Sequence, residues 1–382
     1  MSGDPEQEYF ADGMVEEIIT ALSRFKSLFV IARNSSFTFK GKAIDVKEVG
    51  RQLGVRYVLE GSVRKASERV RITGQLIDAA TGSHIWADRF ERNLTDIFAL
   101  QDEMTTAVVS AIQPKLLQAE IAMASRRRPE NLTAYDYFLR AMAYFYLPTR
   151  EAVVEAIRLA HCALELDPRF GLAAALAAHC HSNNVAWGYA TDPVLDRREA
   201  VRLVQLALSV DDDDPDTLAL AAFASAFMGD ECETAIEISD RAIALNPNSH
   251  AAWNARGWVY EVAGRWEQAI ESFERAMRMS PVDPRRYRTL NGMAFAFIEL
   301  HRFDEAMVAA RKAVRLQPSV ALSYRPLASA FAHLGRNVDA REAVARMLEI
   351  EPGFTISAWT ARTGQSNLRL VIEGLRKAGL PE

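Results

Sequence analysis

The sequence has few cysteines, no long hydrophobic run and no segment that resembles a targeting signal. Its 382 residues include three cysteines, Cys162, Cys180 and Cys232, an odd number at irregular spacing that excludes a disulfide framework and favours a reducing compartment. The first residues, MSGDPEQEYFADGM, are acidic, whereas a secretory signal has a basic stretch followed by an apolar core. No run of about 18 apolar residues occurs, so the sequence predicts no membrane span and a cytoplasmic protein.

A strong charge of one sign and the motifs of nucleotide chemistry are also missing. The 45 Lys and Arg residues nearly balance the 50 Asp and Glu residues, and a net charge of -5 is too slight and too dispersed to imply a broad nucleic-acid surface. Neither Gly-x-x-x-x-Gly-Lys-Ser/Thr nor Gly-x-Gly-x-x-Gly occurs, and Gly-x-Ser-x-Gly is absent as well. We therefore expect no cofactor and assign no catalytic residue.

Two short clusters have the residue types of metal sites but are interpreted as packing and capping. The run His179-Cys180-His181 is predicted to be helical, and consecutive helical residues point about 100° apart, so they do not converge on one ion. The run Asp211–Asp214 lacks the alternating ligands and central glycine of a calcium loop. Asp214 followed by Pro215 is typical of a helix start, and no metal is expected.

The first hundred residues carry strand patterns. Apolar and polar residues alternate over residues 55–66, 69–78 and 84–91, which predicts three antiparallel strands. Upstream, the pattern predicts a helix over residues 8–25, a short buried strand over residues 28–32, and a helix that follows Asp45 and ends at Gly54. This order predicts a small α+β domain with a mixed sheet and helices.

Beyond Asp96 the pattern is helical and repeats. A proline follows an apolar helical segment at five places, Pro168, Pro247, Pro281, Pro318 and Pro352. Small residues recur at two positions before each proline. Twelve positions before it stand Ala156, Ala235, Ala269, Ala306 and Ala340, and five before it stand Ala163, Ala242, Ala276, Ala313 and, as the exception, Met347. A further unit has Asp212 in place of the proline but keeps Ala200 and Ala207, which makes six units.

The segment Ala251–Pro281 carries the fullest version of the pattern. Its sequence, AAWNARGWVYEVAGRWEQAIESFERAMRMSP, resembles the tetratricopeptide repeat, a 34-residue helix-turn-helix unit. Small residues let its helices approach closely, aromatic residues fill the space opposite, and the proline ends the second helix. The resemblance implies an all-α superhelical solenoid. Residues 170–212 depart from it, with a long first helix and the insertion Trp187-Gly188-Tyr189.

The N-terminal region resembles a more particular family. The resemblance lies in DPEQEYFADGMVEEIITALSRF, LFVIARNSSFTFKG, VGRQLGVRYVLEGSVRK and VRITGQLIDAATGSHIWADRFER. These segments are similar to the TolB-like α/β domain that precedes tetratricopeptide repeats in bacterial class III adenylate cyclases of the rhizobial type. The same pair of regions follows winged-helix domains in some bacterial regulators. No residue here matches the catalytic motifs of class III cyclases, so the resemblance implies no catalysis by this chain.

In that family a strand of the type IAVLPF precedes the first of these segments, so the resemblance implies that the domain lacks its first strand here. Three explanations stay open: the chain is a fragment, its start is misassigned, or the sheet forms without that strand. We expect a TolB-like α/β domain over residues 1–95 and a connecting helix with a basic linker over residues 96–130. Six tetratricopeptide-like units over residues 131–352 and a C-terminal capping helix over residues 353–382 follow.

The leading functional hypothesis is a non-catalytic regulatory module whose solenoid binds a protein or peptide. First helices of such repeats line a concave groove. The groove-facing candidates are Asn254, Trp258, Glu261, Arg288, Asn291, Phe295, Arg325 and Ser329. Trp258 is either a partner contact or a packing residue, because Trp253 and Tyr260 already supply packing aromatics in that unit.

Two other hypotheses rest on the resemblance. One is the regulatory C-terminal part of an adenylate cyclase, acting in cyclic AMP signalling. The other is a transcriptional regulator without its winged helix, although no basic recognition helix is present and no nucleic-acid binding is expected. The sequence does not determine the partner, a ligand of the α/β domain or the oligomeric state.

Overall fold

The structure, a computed structural model, describes residues 5–42, 44–66, 69–93, 97–128, 132–229, 232–280, 283–363 and 367–382. The chain divides into two compact units, Met1–Ala122 and Met123–Glu382. Each unit has a hydrophobic core of its own. No described helix combines the length and the apolar character that a bilayer crossing requires.

The first unit combines helices with a small antiparallel sheet. In chain order its elements are α1 (Pro5–Ser23), α2 (Arg33–Ser36), a 3-10 turn (Phe37–Phe39), α3 (Val46–Leu53), β1 (Tyr57–Ala66), β2 (Arg69–Asp78), β3 (Ser83–Asn93) and α4 (Ile97–Arg126), whose last residues belong to the second unit. The strands pair antiparallel in the order β1-β2-β3. The three predicted strands are therefore confirmed.

The helix α3 begins and ends where its sequence signals predict. The Asp45 side chain accepts a hydrogen bond from the backbone N–H of Lys47 at 2.9 Å, and so satisfies one of the donors left free at a helix start. Gly54 ends the helix at φ +66°, in the left-handed region that favours glycine. Both predicted ends are confirmed.

The strand predicted over residues 28–32 is not formed, and the described sheet is antiparallel rather than mixed. These residues run between α1 and α2 without regular structure, and Phe29 is 88% exposed. Leu28 and Val30 pack at the edge of the first core. The alternation thus places two side chains inward, but a strand also needs a neighbour for its backbone hydrogen bonds, and none of the described strands pairs with this segment.

The helix that the sequence suggests as a connector contributes to the first core. Met104, Val108 and Ile112 of α4 pack in one cluster with Met14 of α1 and Ile72 of β2. None of these five side chains is more than 4% exposed. Most of α4 is therefore part of the first unit's core.

The second unit is helical throughout its described residues. Six helix pairs are described in it: α5 (Ala134–Phe145) with α6 (Arg150–Leu166), α7 (Gly171–Ala186) with α8 (Pro193–Val210), α9 (Pro215–Met228) with α10 (Cys232–Leu245), α11 (His250–Val262) with α12 (Trp266–Met279), α13 (Arg286–Glu299) with α14 (Phe303–Leu316), and α15 (Tyr324–His333) with α16 (Asn337–Ile350). Two further helices, α17 (Ile356–Thr363) and α18 (Arg369–Lys377), follow. The predicted C-terminal amphipathic helix is present as α18.

Burial confirms the predicted spacing of the small residues. The alanines twelve positions before each repeat proline, or before Asp212, are all 0% exposed: Ala156, Ala200, Ala235, Ala269, Ala306 and Ala340. Pro168, Pro247, Pro318 and Pro352 each lie two residues beyond the end of a second helix, as expected of a residue that cannot continue the hydrogen-bond ladder. Pro281 lies outside the described residues.

Phe273 shows how tightly neighbouring repeats approach. It lies on the second helix α12 and is 0% exposed. A Cβ atom added at Gly257 of α11 would stand 2.4 Å from its ring, and one added at Gly292 of α13 would stand 2.5 Å from the ring's other side. The ring is therefore held between two first helices, and glycine at both positions provides the space for it.

We predict that Gly292→Ala lowers the free energy of unfolding by about 1–3 kcal/mol, measured by urea denaturation. Alanine is the better helix former by about 1 kcal/mol, but the Phe273 ring cannot retreat from one helix without moving into the other. Gly353→Ala is the matched control, because nothing lies within 4 Å of the Cβ atom that it would add. Equal stability of the two variants would contradict this account of the packing.

Candidate functional site

The eight candidates lie on three successive first helices, α11, α13 and α15. Asn254, Arg288 and Arg325 each follow a repeat proline by seven residues, and therefore occupy the same position of three units. Neighbouring helices are tied through this row: the Asn254 amide donates to the Thr289 hydroxyl at 2.7 Å. Between the next two first helices, the Asn291 amide of α13 donates to the Oγ of Ser323, the residue before α15, at 3.0 Å. We call the surface formed by the eight candidates the inner face.

The structure corrects the expectation that the inner face is open to a partner. Asn254 is half-buried, and none of the other seven is more than 5% exposed: Trp258, Glu261, Arg288, Asn291, Phe295, Arg325 and Ser329. Other parts of the second unit cover them. The covering parts are the end of α7, with the turn that follows it, and the C-terminal residues 354–363 and 367–380.

The C-terminal residues lie across the first helices. The Trp359 ring of α17 stacks on Phe295 with their centroids 6.4 Å apart. The Asn367 side chain donates to the backbone oxygen of Glu261 at 3.2 Å, and Ser329 Oγ donates to the backbone oxygen of Leu370 at 3.4 Å. These contacts reach α11, α13 and α15 in turn, so the chain's own C-terminal segment fills part of the predicted groove.

Trp258 is a packing residue in this structure. Its ring lies 5.5 Å from Phe273, 6.2 Å from Phe227 and 6.3 Å from Phe223, measured between centroids. It is 5% exposed, and its Nε1 has no hydrogen-bond partner in the described structure. Of the two sequence interpretations, the structure favours packing.

Each of the two inner-face arginines lies against aromatic rings. The Arg325 guanidinium carbon is 4.3 Å from the centroid of Phe354, and an Nη atom is 3.1 Å from a carboxylate oxygen of Glu351. The Arg288 guanidinium carbon is 5.0 Å from the centroid of Trp187, and an Nη atom donates to Asn183 Oδ1 at 3.1 Å. Burial lowers the pKa of Arg325 to about 10 and that of Arg288 to about 9, and both side chains stay charged at neutral pH.

The insertion Trp187-Gly188-Tyr189 reaches the inner face, which sequence reasoning did not predict. Besides the Trp187 contact with Arg288, a Cβ atom added at Gly188 would stand 2.5 Å from Arg362 Nη1. Gly188 has φ +72°, where a side chain would be strained as well. The only signal in the sequence was the departure from the repeat pattern.

A separate cluster of polar side chains lies at the starts of α9, α11 and α13. The Ser249 hydroxyl donates to Asp216 at 3.5 Å, and His250 Nδ1 lies 3.6 Å from an oxygen of Asp283. The Arg285 guanidinium lies 3.9 Å from the centroid of Phe145. Burial raises the pKa of Asp216 to about 7, and the nearby Asp214 acts in the same direction. No repeat position singles these residues out, and sequence reasoning missed them as a group.

The clusters first considered as metal sites have other contacts. His179 stacks on Phe223 with their centroids 3.9 Å apart, and His181 bonds to Asp196 and to His161 Nε2, the latter at 3.3 Å. Asp214 accepts from the backbone N–H of Thr217 at 2.9 Å, so its predicted capping role is confirmed. Among the described residues, no three His, Cys, Asp or Glu side chains form a group that could hold a metal ion.

Comparison with known proteins identifies the repeats. Two family models, both described as tetratricopeptide repeat, match residues 222–291 and 292–353, so the C-terminal region contains tetratricopeptide repeats. Over 231 residues the chain is 47% identical to "Putative adenylate cyclase 3" of Rhizobium meliloti (strain 1021). That alignment covers 58% of this chain and 38% of the relative, so the chain spans well under half of the relative's length.

Two solved structures match parts of this chain. The crystal structure of the APC/C hetero-tetramer Cut9-Hcn1 matches with a TM-score of 0.48 and 18% identity, over 75% of this chain and 49% of that chain. YrrB, whose structure is described as a TPR protein with an unusual peptide-binding site, matches with a TM-score of 0.35 and 20% identity, over 46% of this chain and 90% of that chain. With TM-scores below 0.5, these matches support no conclusion about this chain.

We predict that Asp216→Asn changes the pH dependence of stability. The pKa of Asp216 is about 7 in the folded chain and about 3.9 in an unfolded one, so the free energy of unfolding falls as pH rises between these values. Because the side chain keeps some solvent contact, we expect the variant to be more stable than the wild type by about 1–2 kcal/mol at pH 8 and equal to it near pH 4. Urea denaturation across this range measures the difference. The exposed Asp213→Asn is the control, and parallel curves for wild type and Asp216→Asn would contradict the prediction.

Proposed function

We propose that the second unit is a protein-interaction module whose partner is recognised at the inner face. The observation that carries this proposal is the row Asn254, Arg288 and Arg325, at one repeat position on three successive first helices. Packing of a solenoid needs small and apolar residues at such positions, whereas buried amide and guanidinium groups cost free energy unless they are bonded. A row of this kind favours recognition over packing alone.

The turn after α7 is the partly exposed border of this face. Trp187 and Tyr189 are partly exposed, and Gly188 between them is exposed. The Trp187 ring lies against the Arg288 guanidinium. Tryptophan and arginine are the residue types that contribute most to binding at protein interfaces. A partner therefore makes its first contact at this turn and continues toward Arg288.

The C-terminal segment determines how much of the face a partner can use. Residues 354–363 and 367–380 cover Phe295, Arg325 and Ser329. Arg288 lies instead against the end of α7 and its turn. In the folded chain the recognition surface is therefore the half of the inner face nearest α7.

We expect Trp187→Ala to reduce the capture of partner proteins by roughly 30-fold, which corresponds to about 2 kcal/mol, the loss typical of a tryptophan that anchors an interface. The tagged 382-residue chain is used to capture proteins from a lysate, and each captured protein is quantified by mass spectrometry. Trp266→Ala is the matched control, since Trp266 is also partly exposed but begins the second helix α12. If both variants capture the same proteins in the same amounts, recognition does not take place at the α7 turn.

The second candidate function is a regulatory region of an adenylate cyclase. It is favoured by the 47% identity over 231 residues to the Rhizobium meliloti protein. The resemblance of the first unit to TolB-like domains, which adjoin repeats in such cyclases, supports the same proposal. The role would be regulation rather than cyclisation, because the sequence carries no class III catalytic motif.

The purified 382-residue chain is accordingly expected to form no cyclic AMP from ATP in the presence of Mg²⁺ or Mn²⁺, because its sequence carries no class III catalytic motif. The product is measured chromatographically, with an active class III cyclase as the positive control. Cyclic AMP formed in proportion to the amount of chain would contradict the non-catalytic assignment.

A further inference from the structure

The two inner-face arginines occupy equivalent repeat positions, but only one of them has a counter-ion. Arg325 lies against the rings of Phe354 and Trp359, with guanidinium-to-centroid distances of 4.3 and 5.4 Å, and is paired with the Glu351 carboxylate at 3.1 Å. Arg288 has the same kind of aromatic surroundings. Within the described residues, however, no carboxylate lies within ion-pair distance of Arg288.

Arg288 is enclosed by three aromatic rings and one amide. Its guanidinium carbon lies 5.0 Å from the centroid of Trp187, 5.4 Å from Phe223 and 5.9 Å from Trp258. The neutral amide oxygen of Asn183 accepts from one Nη atom at 3.1 Å. Arg288 is 4% exposed. Aromatic faces attract a cation but provide no in-plane acceptor for its N–H groups, and a buried charge without a counter-ion is costly.

The polar atoms left without partners around Arg288 include several donors. Neither Nε of Arg288 nor Nε1 of Trp258 has a hydrogen-bond partner in the described structure. His179, which stacks on the same Phe223 ring, has no partner at either ring nitrogen. Burial holds the pKa of His179 well below its usual range, so the ring is neutral and carries one N–H. What this cluster lacks is an acceptor with negative charge.

We propose that Arg288, with the surrounding rings of Trp187, Phe223 and Trp258, forms a carboxylate-binding site completed by an acidic group of the bound partner. The proposal rests on the proposed function and names the chemistry of the group that the partner presents. The ligand takes the place that Glu351 occupies beside Arg325. It enters past Trp187, the partly exposed member of the set.

The competing explanation is that Arg288 is a structural residue that joins α13 to the end of α7 through its aromatic contacts and its hydrogen bond to Asn183. The two explanations predict different effects of the charge on the stability of the chain without ligand. If Arg288 is a binding residue, its buried guanidinium without a counter-ion destabilises the ligand-free chain, so an apolar side chain of similar length is tolerated. If Arg288 is a structural contact, replacing it lowers the stability.

The first experiment uses the full chain with ¹⁵N-labelled tryptophan and acetate as the probe. Acetate is added up to about 100 mM against chloride at matched ionic strength. We expect a saturable shift of the Trp258 indole N–H signal, identified with Trp258→Phe, that disappears in Arg288→Met and persists in the exposed-site control Arg275→Met. No saturable shift, a shift that survives Arg288→Met, or a response to inorganic phosphate alone would overturn the proposal.

The second experiment compares the melting temperatures of Arg288→Met and Arg325→Met without ligand. We expect Arg325→Met to lower Tm by roughly 4 °C or more, since it leaves Glu351 without its closer partner, and Arg288→Met to leave Tm unchanged or raised. An equal decrease in Tm in both variants would show that Arg288 has a structural role and would overturn the proposal. Neither experiment needs the protein partner, so if both fail while Trp187→Ala still loses its captured proteins, the interaction module stands and only the carboxylate site is rejected.

Discussion

Close approach between neighbouring helices is the constraint on which the second unit depends. It is possible because alanine recurs on the packed side of each second helix and because Gly257 and Gly292 leave room for the Phe273 ring. Helices this close must stack in a regular array, and a regular array brings the same position of successive first helices onto one face. The row of Asn254, Arg288 and Arg325 is a direct result, so the inner face follows from the packing of small residues that do not belong to it.

The repeats could be predicted from the sequence because their signals are local and periodic. The alanine spacing, the prolines beyond the second helices and the Asp214 cap each depend on residues close together in the chain. The cover of the inner face could not be predicted in this way, because its contacts join distant residues. Arg288 and Asn183 are 105 positions apart, and Asn367 lies 106 positions from Glu261. A repeat pattern identifies the face that points inward but not the segment that lies on it.

In the N-terminal unit, too, the sequence pattern predicts local structure but not contacts between segments. Alternation correctly identified three strands, since each has a neighbour within a few residues of chain and a turn to set the pairing. Residues 28–32 have a similar apolar pattern but no strand beside them in the described sheet, and Phe29 points away from the core. A side-chain pattern thus specifies which residues face inward, whereas strand formation depends on a pairing partner that the pattern does not contain.

The inner face is asymmetric, and the asymmetry follows from which part of the chain covers each half. The C-terminal segment brings both aromatic rings and a carboxylate to Arg325, so that half is neutralised internally. The end of α7 and its inserted turn bring a tryptophan and an amide to Arg288 but no acidic side chain from the described residues. The departure of this unit from the repeat pattern therefore coincides with the half of the face where a positive charge is enclosed without its counter-ion. An enclosed charge is stabilised most by an opposite charge placed beside it in a low-dielectric site. If a partner presents an acidic group, as proposed, electrostatic attraction favours its binding on the α7 side of the face over the C-terminal side.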